Sequence, residues 1–124
     1  NITARNTYKT RKAERERSIL SLKQKEQNVM VEIDNAINSV KSSLEAIVST
    51  RDARKYAEQA LEAGKIRLDH GKATSFEVLQ LQTTLFQNRL AEIKALVTYN
   101  VNLANLCYRE GGTLEKYNIV VDYE

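Results

Sequence analysis

Between two long helical patterns without a single proline, the stretch Leu61–Gln80 carries a helix stop, a short link and a helix start, in that order. The stop is Gly71, suited to the left-handed position just past a helix end. Lys65 and Arg67 stand in the turn before it, where cations complement the negative end of the helix dipole. The start is Thr74-Ser75-Phe76-Glu77, which fits a capping box: the Thr74 hydroxyl accepts from the Glu77 N–H, and the Glu77 carboxylate reaches back to the Thr74 N–H. Signals in this order predict a tight reversal between two antiparallel helices. They also limit the rest of the chain to being the arms of that hairpin.

Composition agrees. The 124 residues hold four glycines, no proline and no tryptophan, and they are rich in Ala, Glu, Lys, Leu, Gln and Asn, the usage of long helices. No run approaches the roughly 18 apolar residues of a membrane span. The amino terminus is polar from its first residue and shows no signal peptide, so the expectation is a cytosolic protein or a mature piece of a longer one. A net charge of +3 is too small to imply an anionic partner. Cys107 is the sole cysteine, which excludes an internal disulfide and reads as a small buried hydrophobe.

Residues 1–17 are basic, with Arg5, Lys9, Arg11, Lys12, Arg15 and Arg17 against Glu14 and Glu16. A basic region ahead of heptads is the layout of DNA-binding zippers. Here, however, the zipper positions would be Leu22, Val29, Ala36 and Ser43, which decay instead of repeating leucine. The segment reads as a solvated helix face, with no nucleic acid partner.

Further along, Ile19, Ile33, Val40, Ile47, Leu61 and Leu68 form one row at seven-residue spacing, interrupted by Glu26 and Arg54. Leu22, Val29 and Ala36 form another, with Met30, Ile37 and Leu44 beside it. Such spacing marks a coiled-coil seam, and the doubled row predicts neighbours on two sides. Ala53, Ala57, Ala60, Ala63 and Gly64 predict close approach of the helices near the reversal. In the returning helix, Phe76, Leu79, Phe86, Leu90, Ile93, Val97, Val101 and Ala104 make one row; Val78, Leu81, Leu85, Leu96, Tyr99, Leu103 and Leu106 make a second. Gly111-Gly112 ends it. In the tail, Ile119–Val121 admits either a short strand or a docked terminus.

The expected architecture is therefore all-α: a long antiparallel helical hairpin over residues 1–112, reversing at 69–75, with a short irregular tail at 113–124. The first arm, about 65 residues at 1.5 Å each, would run close to 100 Å, and the second covers only about half of it. Folding at the link sets Leu44 near Val101 and Asn35 near Glu110. Ile19, Leu20, Leu22, Val29, Met30, Val31 and Ile33 then have no partner within the chain. Leaving them wet forgoes on the order of 10 kcal/mol, so other copies or another part of the polypeptide are expected to cover them.

Nothing in the sequence forms a catalytic constellation. His70, the sole histidine, sits beside the turn glycine with no cysteine near, and its proximity to Asp69 reads as a surface pair. The chain has no Gly-rich phosphate loop, no metal-spaced cluster and no nucleophile elbow. The acidic residues read as solvating charge scattered over helix faces. The expectation is a protein that is not an enzyme, with no cofactor and no metal.

The reversal and its flanks do carry a resemblance. AEQALEAGKIRLDHG, then KATSFEVLQLQTTLFQNRLAEIKALVTYNVNLANL, then a Gly-Gly stop, resembles the TolC-like outer-membrane efflux protein family. Gly71, Thr74 or Ser75, Glu77, Val78 and Leu79 match its periplasmic tip; Gln82, Leu85, Ala91, Tyr99 and Leu103 fit its returning helix. Members resemble two tandem repeats, each giving membrane β-strands and a helical hairpin, and usually three chains form one tunnel. The signal peptide, the strands and the first repeat would lie outside this sequence, which then reads as a carboxy-terminal piece of the helical barrel whose membrane contact is made by other parts.

The resemblance implies a passive conduit of the periplasm and outer membrane, opened when an inner-membrane adaptor, serving a pump, docks at the helix tips. It implies a docking tip at Gly71, Lys72, Ala73, Thr74 and Ser75, and a pore constriction near Leu68, Glu77 and Gln80. Where the family often has an aromatic and a basic residue holding the closed tip, Leu68 and Ala73 stand here. Glu77 keeps the first acidic place of the selectivity ring, whereas the second is lost, with Gln80 standing there. Two alternatives accompany it. One is the periplasmic adaptor's own hairpin, whose tip has arginine followed four residues later by leucine where this chain has Arg67 and Gly71. The other is a soluble oligomeric coiled-coil scaffold with no transport role.

Overall fold

The computed structural model describes residues 2–118. It consists of α1 (Ile2–Asp69), α2 (Ser75–Arg109) and a single helical turn, α3 (Thr113–Lys116). The long helices pack against each other as an all-α hairpin, and no described helix is long and apolar enough to cross a membrane. The tail thus begins with a helical turn where an irregular segment was expected; Ile119–Val121 lies outside the described residues.

By its contacts the chain divides into Asn1–Asn35 and Ala36–Glu124. In the first unit, every described residue is exposed except Ile33, which is half-buried. Ile19, Leu20, Leu22, Val29, Met30 and Val31 all stand open. The second unit is the hairpin proper. Its α1 seam runs Ala36, Val40, Ser43, Ile47, Thr50, Arg54, Ala57, Leu61, Gly64, Leu68, alternating steps of four and three, and all ten are buried or half-buried. The α2 seam, Val78, Leu81, Leu85, Asn88, Glu92, Ala95, Tyr99, Asn102, Leu106, follows the same rule. Two seams of this period interlock because the side chains of one helix fill spaces between those of the other.

Apolar burial concentrates beside the reversal, where Ala57, Leu61, Val78 and Leu85 cluster with Leu68 and Leu81 packed against them. There the helices come close: a Cβ on Gly64 would lie 2.5 Å from Leu81 Cδ1. The close approach expected of the alanine-rich stretch is real but uses fewer of its members. Ala57 and Gly64 are buried, whereas Ala53, Ala60 and Ala63 are exposed, because each lies one residue off a seam position, about 100° around the helix.

The two apolar rows of α2 part company. Val78, Leu81, Leu85, Tyr99, Leu103 and Leu106 turn toward α1 as buried or half-buried residues, whereas Leu96 of the same row is exposed. Phe76, Leu79, Phe86, Leu90, Ile93, Val97 and Val101 all point outward, with Phe76 at 72% exposure. The more hydrophobic face of α2 is thus the one that α1 does not cover.

At the far end α2 stops in the way its glycines require. Gly111 has φ +75°; its N–H bonds the Tyr108 carbonyl and the Gly112 N–H bonds the Cys107 carbonyl, both at 3.1 Å, the paired bonds of a Schellman motif. The turn that follows brings Lys116 Nζ to 3.2 Å from Cys107 Sγ. That hydrogen bond raises the Lys116 pKa. Cys107 is accordingly half-buried and polar-contacted, not the buried hydrophobe its sequence position suggested.

Candidate functional site

The link between α1 and α2 is built almost wholly by local hydrogen bonds. Gly71 has φ +69°, the left-handed value that glycine adopts without steric cost. Its N–H bonds the Leu68 carbonyl at 2.8 Å, and the Lys72 N–H bonds the Arg67 carbonyl at 2.7 Å, again a Schellman closure. Two side chains reinforce it. Arg67 Nη2 reaches the Lys72 carbonyl at 3.4 Å, and His70 Nδ1, 2.7 Å from the Ile66 carbonyl, must be the donor there because a carbonyl only accepts. His70 therefore serves the helix end and not Asp69.

On the other side of the link, Thr74 is the N-cap of α2 in extended backbone, φ −96° and ψ 155°. The Glu77 N–H donates to Thr74 Oγ1 at 3.2 Å, and the Thr74 N–H donates to Glu77 Oε2 at 2.8 Å. Both halves of the capping box are made. Gly71, Lys72, Thr74 and Ser75 are exposed, and Ala73 is half-buried. These five residues form one continuous surface at the end of the hairpin.

Beside that surface lies a groove of about 370 Å³, lined by Gly64 and Arg67 of α1, Ala73 of the link, and Glu77, Val78, Gln80, Leu81 and Thr84 of α2. Glu77 and Gln80 are both exposed along it. Leu68 instead sits half-buried against the apolar cluster, so it belongs to the packing that holds the tip together.

Sequence reasoning missed one feature: a ladder of ion pairs crossing the seam behind the tip. Arg54 Nε is 2.6 Å from Glu92 Oε2, and Arg54 Nη1 is 2.8 Å from Glu58 Oε2. Arg51 reaches the other Glu92 oxygen at 3.3 Å, and Arg89 reaches the other Glu58 oxygen at 3.0 Å. Glu58 and Glu92 are therefore not scattered solvating charge. Arg54 is not a mere interruption of its row but the link between the two carboxylates. The Glu92 side chain is only 15% exposed; burial pushes its pKa up, but hydrogen bonds from Arg54 and Arg51 together outweigh this and leave it lowered. Hydrogen bonds from Arg89 and Arg54 lower Glu58, and those to Glu92 and Glu58 raise Arg54. A visible signal was the antiparallel match of Arg54 and Glu58, four apart, with Arg89 and Glu92, three apart; at the register fixed by the turn, opposite charges face each other.

The profile of the family described as outer membrane efflux protein covers residues 3–108, which takes in most of the basic segment, nearly all of both long helices and the whole reversal. No curated protein and no solved structure matches the chain. With the match running through nearly all of both helices, the chain belongs to the outer membrane efflux protein family and is a component of an outer-membrane efflux channel.

Proposed function

We propose that this chain forms part of the wall of a periplasmic α-helical tunnel, a passive export conduit that opens when an inner-membrane adaptor docks at the helix tips. The observation that carries the reading is the outward apolar face of α2, from Phe76 to Val101. A helix with one apolar face against its hairpin partner and another turned away has room for a second neighbour. That is what the wall of a closed helical barrel demands of each of its helices. The neighbour is another hairpin of the assembled channel, a homo-oligomer that in the full-length parent is a trimer, located in the periplasm and outer membrane. The exposed apolar residues between Ile19 and Val31 call for the same kind of cover.

In this reading the two long helices supply the arms of the hairpin, and Gly71, Lys72, Ala73, Thr74 and Ser75 are what the adaptor touches. The tip is held by backbone bonds and a capping box, so its shape persists while the surface stays free to bind. Glu77, Gln80 and Leu68 line or support the narrow end of the conduit. Symmetry-related copies of Glu77 would ring the opening with like charge, which attracts cations and repels anions.

The test uses the full-length parent with its adaptor and pump. Gly71→Val forces a β-branched side chain into left-handed backbone, which distorts the tip and leaves the helices intact. Expression and helicity by circular dichroism should be unchanged while adaptor-dependent efflux falls. Full efflux from a normally expressed Gly71→Val channel would remove the docking role from this turn. For the constriction, Glu77→Gln keeps cap geometry and removes charge; single-channel recordings should show weakened cation preference. An unaltered ion selectivity would leave Glu77 as a helix cap only.

A further inference from the structure

The two faces of α2 raise a question of choice. Hydrophobic burial alone favours pairing α1 with the richer face, which carries Phe76, Leu79, Phe86, Leu90, Ile93 and Val97, all exposed. In the structure α1 takes the other face, interrupted by Asn88, Glu92 and Asn102, all half-buried.

We propose that Arg54 is the specificity-determining residue of the hairpin: held by Glu92 and Glu58, it decides which face of α2, and which register, α1 accepts. Arg54 occupies a seam position and its side chain is about one quarter exposed. A guanidinium taken that far out of water needs an acidic partner, because an uncompensated charge in a packed seam is strongly unfavourable. Between Ser75 and Arg109 the chain has only two acidic residues, Glu77 and Glu92. Glu77 is committed to the Thr74 cap. Glu58 is on α1 itself and accompanies Arg54 Nη1 whichever face α1 meets, so for Arg54 Nε only Glu92 remains on α2, and it lies on the less apolar face.

The outward face has no acid at all. Its polar positions are Thr83 and Asn100, neither of which neutralises an arginine. A shift of one heptad along the correct face fails in the same way, setting Arg54 against Leu85 or Tyr99. The second rung, Arg89 to Glu58 at 3.0 Å, enforces the same alignment from the opposite helix. The ladder thereby acts as a single polar residue does in a coiled-coil seam, where it fixes register at some expense of stability. Its effect is to leave the richer apolar face of α2 free.

Cross-linking the whole chain tests this, with Cys107→Ser as background. Ile47 and Tyr99 lie one heptad further from the turn than Arg54 and Glu92, so Ile47→Cys with Tyr99→Cys reports the observed face. Ile47→Cys with Val97→Cys reports the outward face. Oxidation, read on the monomer band of a non-reducing gel, should cross-link only the first pair in the native sequence. In Arg54→Leu with Glu92→Leu, helicity should persist and the second pair should rise severalfold to a yield comparable with the first. Exchanging two neighbours, Glu92→Ile with Ile93→Glu, keeps composition and charge but moves the acid to the outward face. The preference should then reverse. Exclusive cross-linking of the first pair in both variants would overturn the proposal. So would loss of helicity in the double-leucine chain, because the ladder would then be supporting the fold and not selecting a face.

Discussion

Leu85 and Phe86 are neighbours in the sequence and opposites in the structure, so truncating each to alanine separates the inner face of α2 from the outer one. Leu85 is 7% exposed and belongs to the cluster with Ala57, Leu61 and Val78. Removing a buried leucine side chain costs the transfer free energy plus the cavity left behind, about 2–5 kcal/mol. The hairpin is two helices thick and the groove beside Leu81 is open, so neighbours and water can settle into the space. The lower part of that range, about 2–3 kcal/mol, is expected. Phe86 is 62% exposed; the small part of it that is sheltered is worth under about 1 kcal/mol. Alanine returns roughly 0.5 kcal/mol of that through better helix propensity. Urea unfolding followed by circular dichroism, at several protein concentrations, reads both. Leu85→Ala should lower the midpoint at every concentration. Phe86→Ala should leave the most dilute sample almost unchanged, and should reduce the rise of the midpoint with concentration if the outer face binds another copy. Equal losses for the two variants at the lowest concentration would refute this assignment of faces.

Three further outcomes follow from the tip and the ladder. Thr74→Ala removes the acceptor for the Glu77 N–H and should cost about 1 kcal/mol in the same unfolding assay, with Thr74→Ser recovering most of it. Gly71→Ala meets no atom within 4 Å, so its expected cost of roughly 1–2 kcal/mol comes from left-handed backbone alone, and Gly71→Asn should recover part of it. Glu58 and Glu92 titrate below the ordinary glutamate value in the folded chain, so the unfolded chain binds their protons at higher pH than the folded one does. Their contribution is fully present above about pH 4.3 and disappears as the pH falls through the lowered folded values. Thermal midpoints should therefore decline below that pH, and Glu92→Gln should flatten the decline.

The reversal was legible in the sequence because its determinants are local. A left-handed glycine, a threonine and a glutamate three residues later each act within one turn of backbone, and all three behave as their spacing requires. The seam was legible too, since Ile47, Leu61 and Leu85 repeat with the period that faces them inward. What periodicity does not carry is which of two apolar rows on one helix meets the partner. Both rows of α2 have the same period, and the richer one turned out to face away. The ladder was hidden for a related reason: its members lie on different helices, 31 to 41 residues apart, and only a committed register brings them together. With the register that sets Leu44 near Val101, however, Arg54 falls opposite Ala91, one residue from Glu92, so an explicit pairing of the two helices would have brought the two charges into view.

The seam changes character along its length, and that change orders the hairpin. Nearest the turn it is apolar and close, with Gly64 against Leu81 and the Leu61–Leu85 cluster behind them. Next comes the charged layer, and beyond it the seam is mixed, with Ser43 buried and bonded to the Val40 carbonyl and Asn102 donating to the Ser39 carbonyl at 3.3 Å. Apolar packing is indifferent to sliding by a heptad, because another leucine takes the vacated place. Charges and amides are not, because each must find one particular partner or lose its hydration unrepaid. The tip thus draws cohesion from its apolar end and alignment from the polar layers above it. Since those layers occupy the inner face, the outer face of α2 can be uniformly apolar without confusing the fold. One helix then carries two hydrophobic surfaces at once, one for its own hairpin and one for whatever stands beside it.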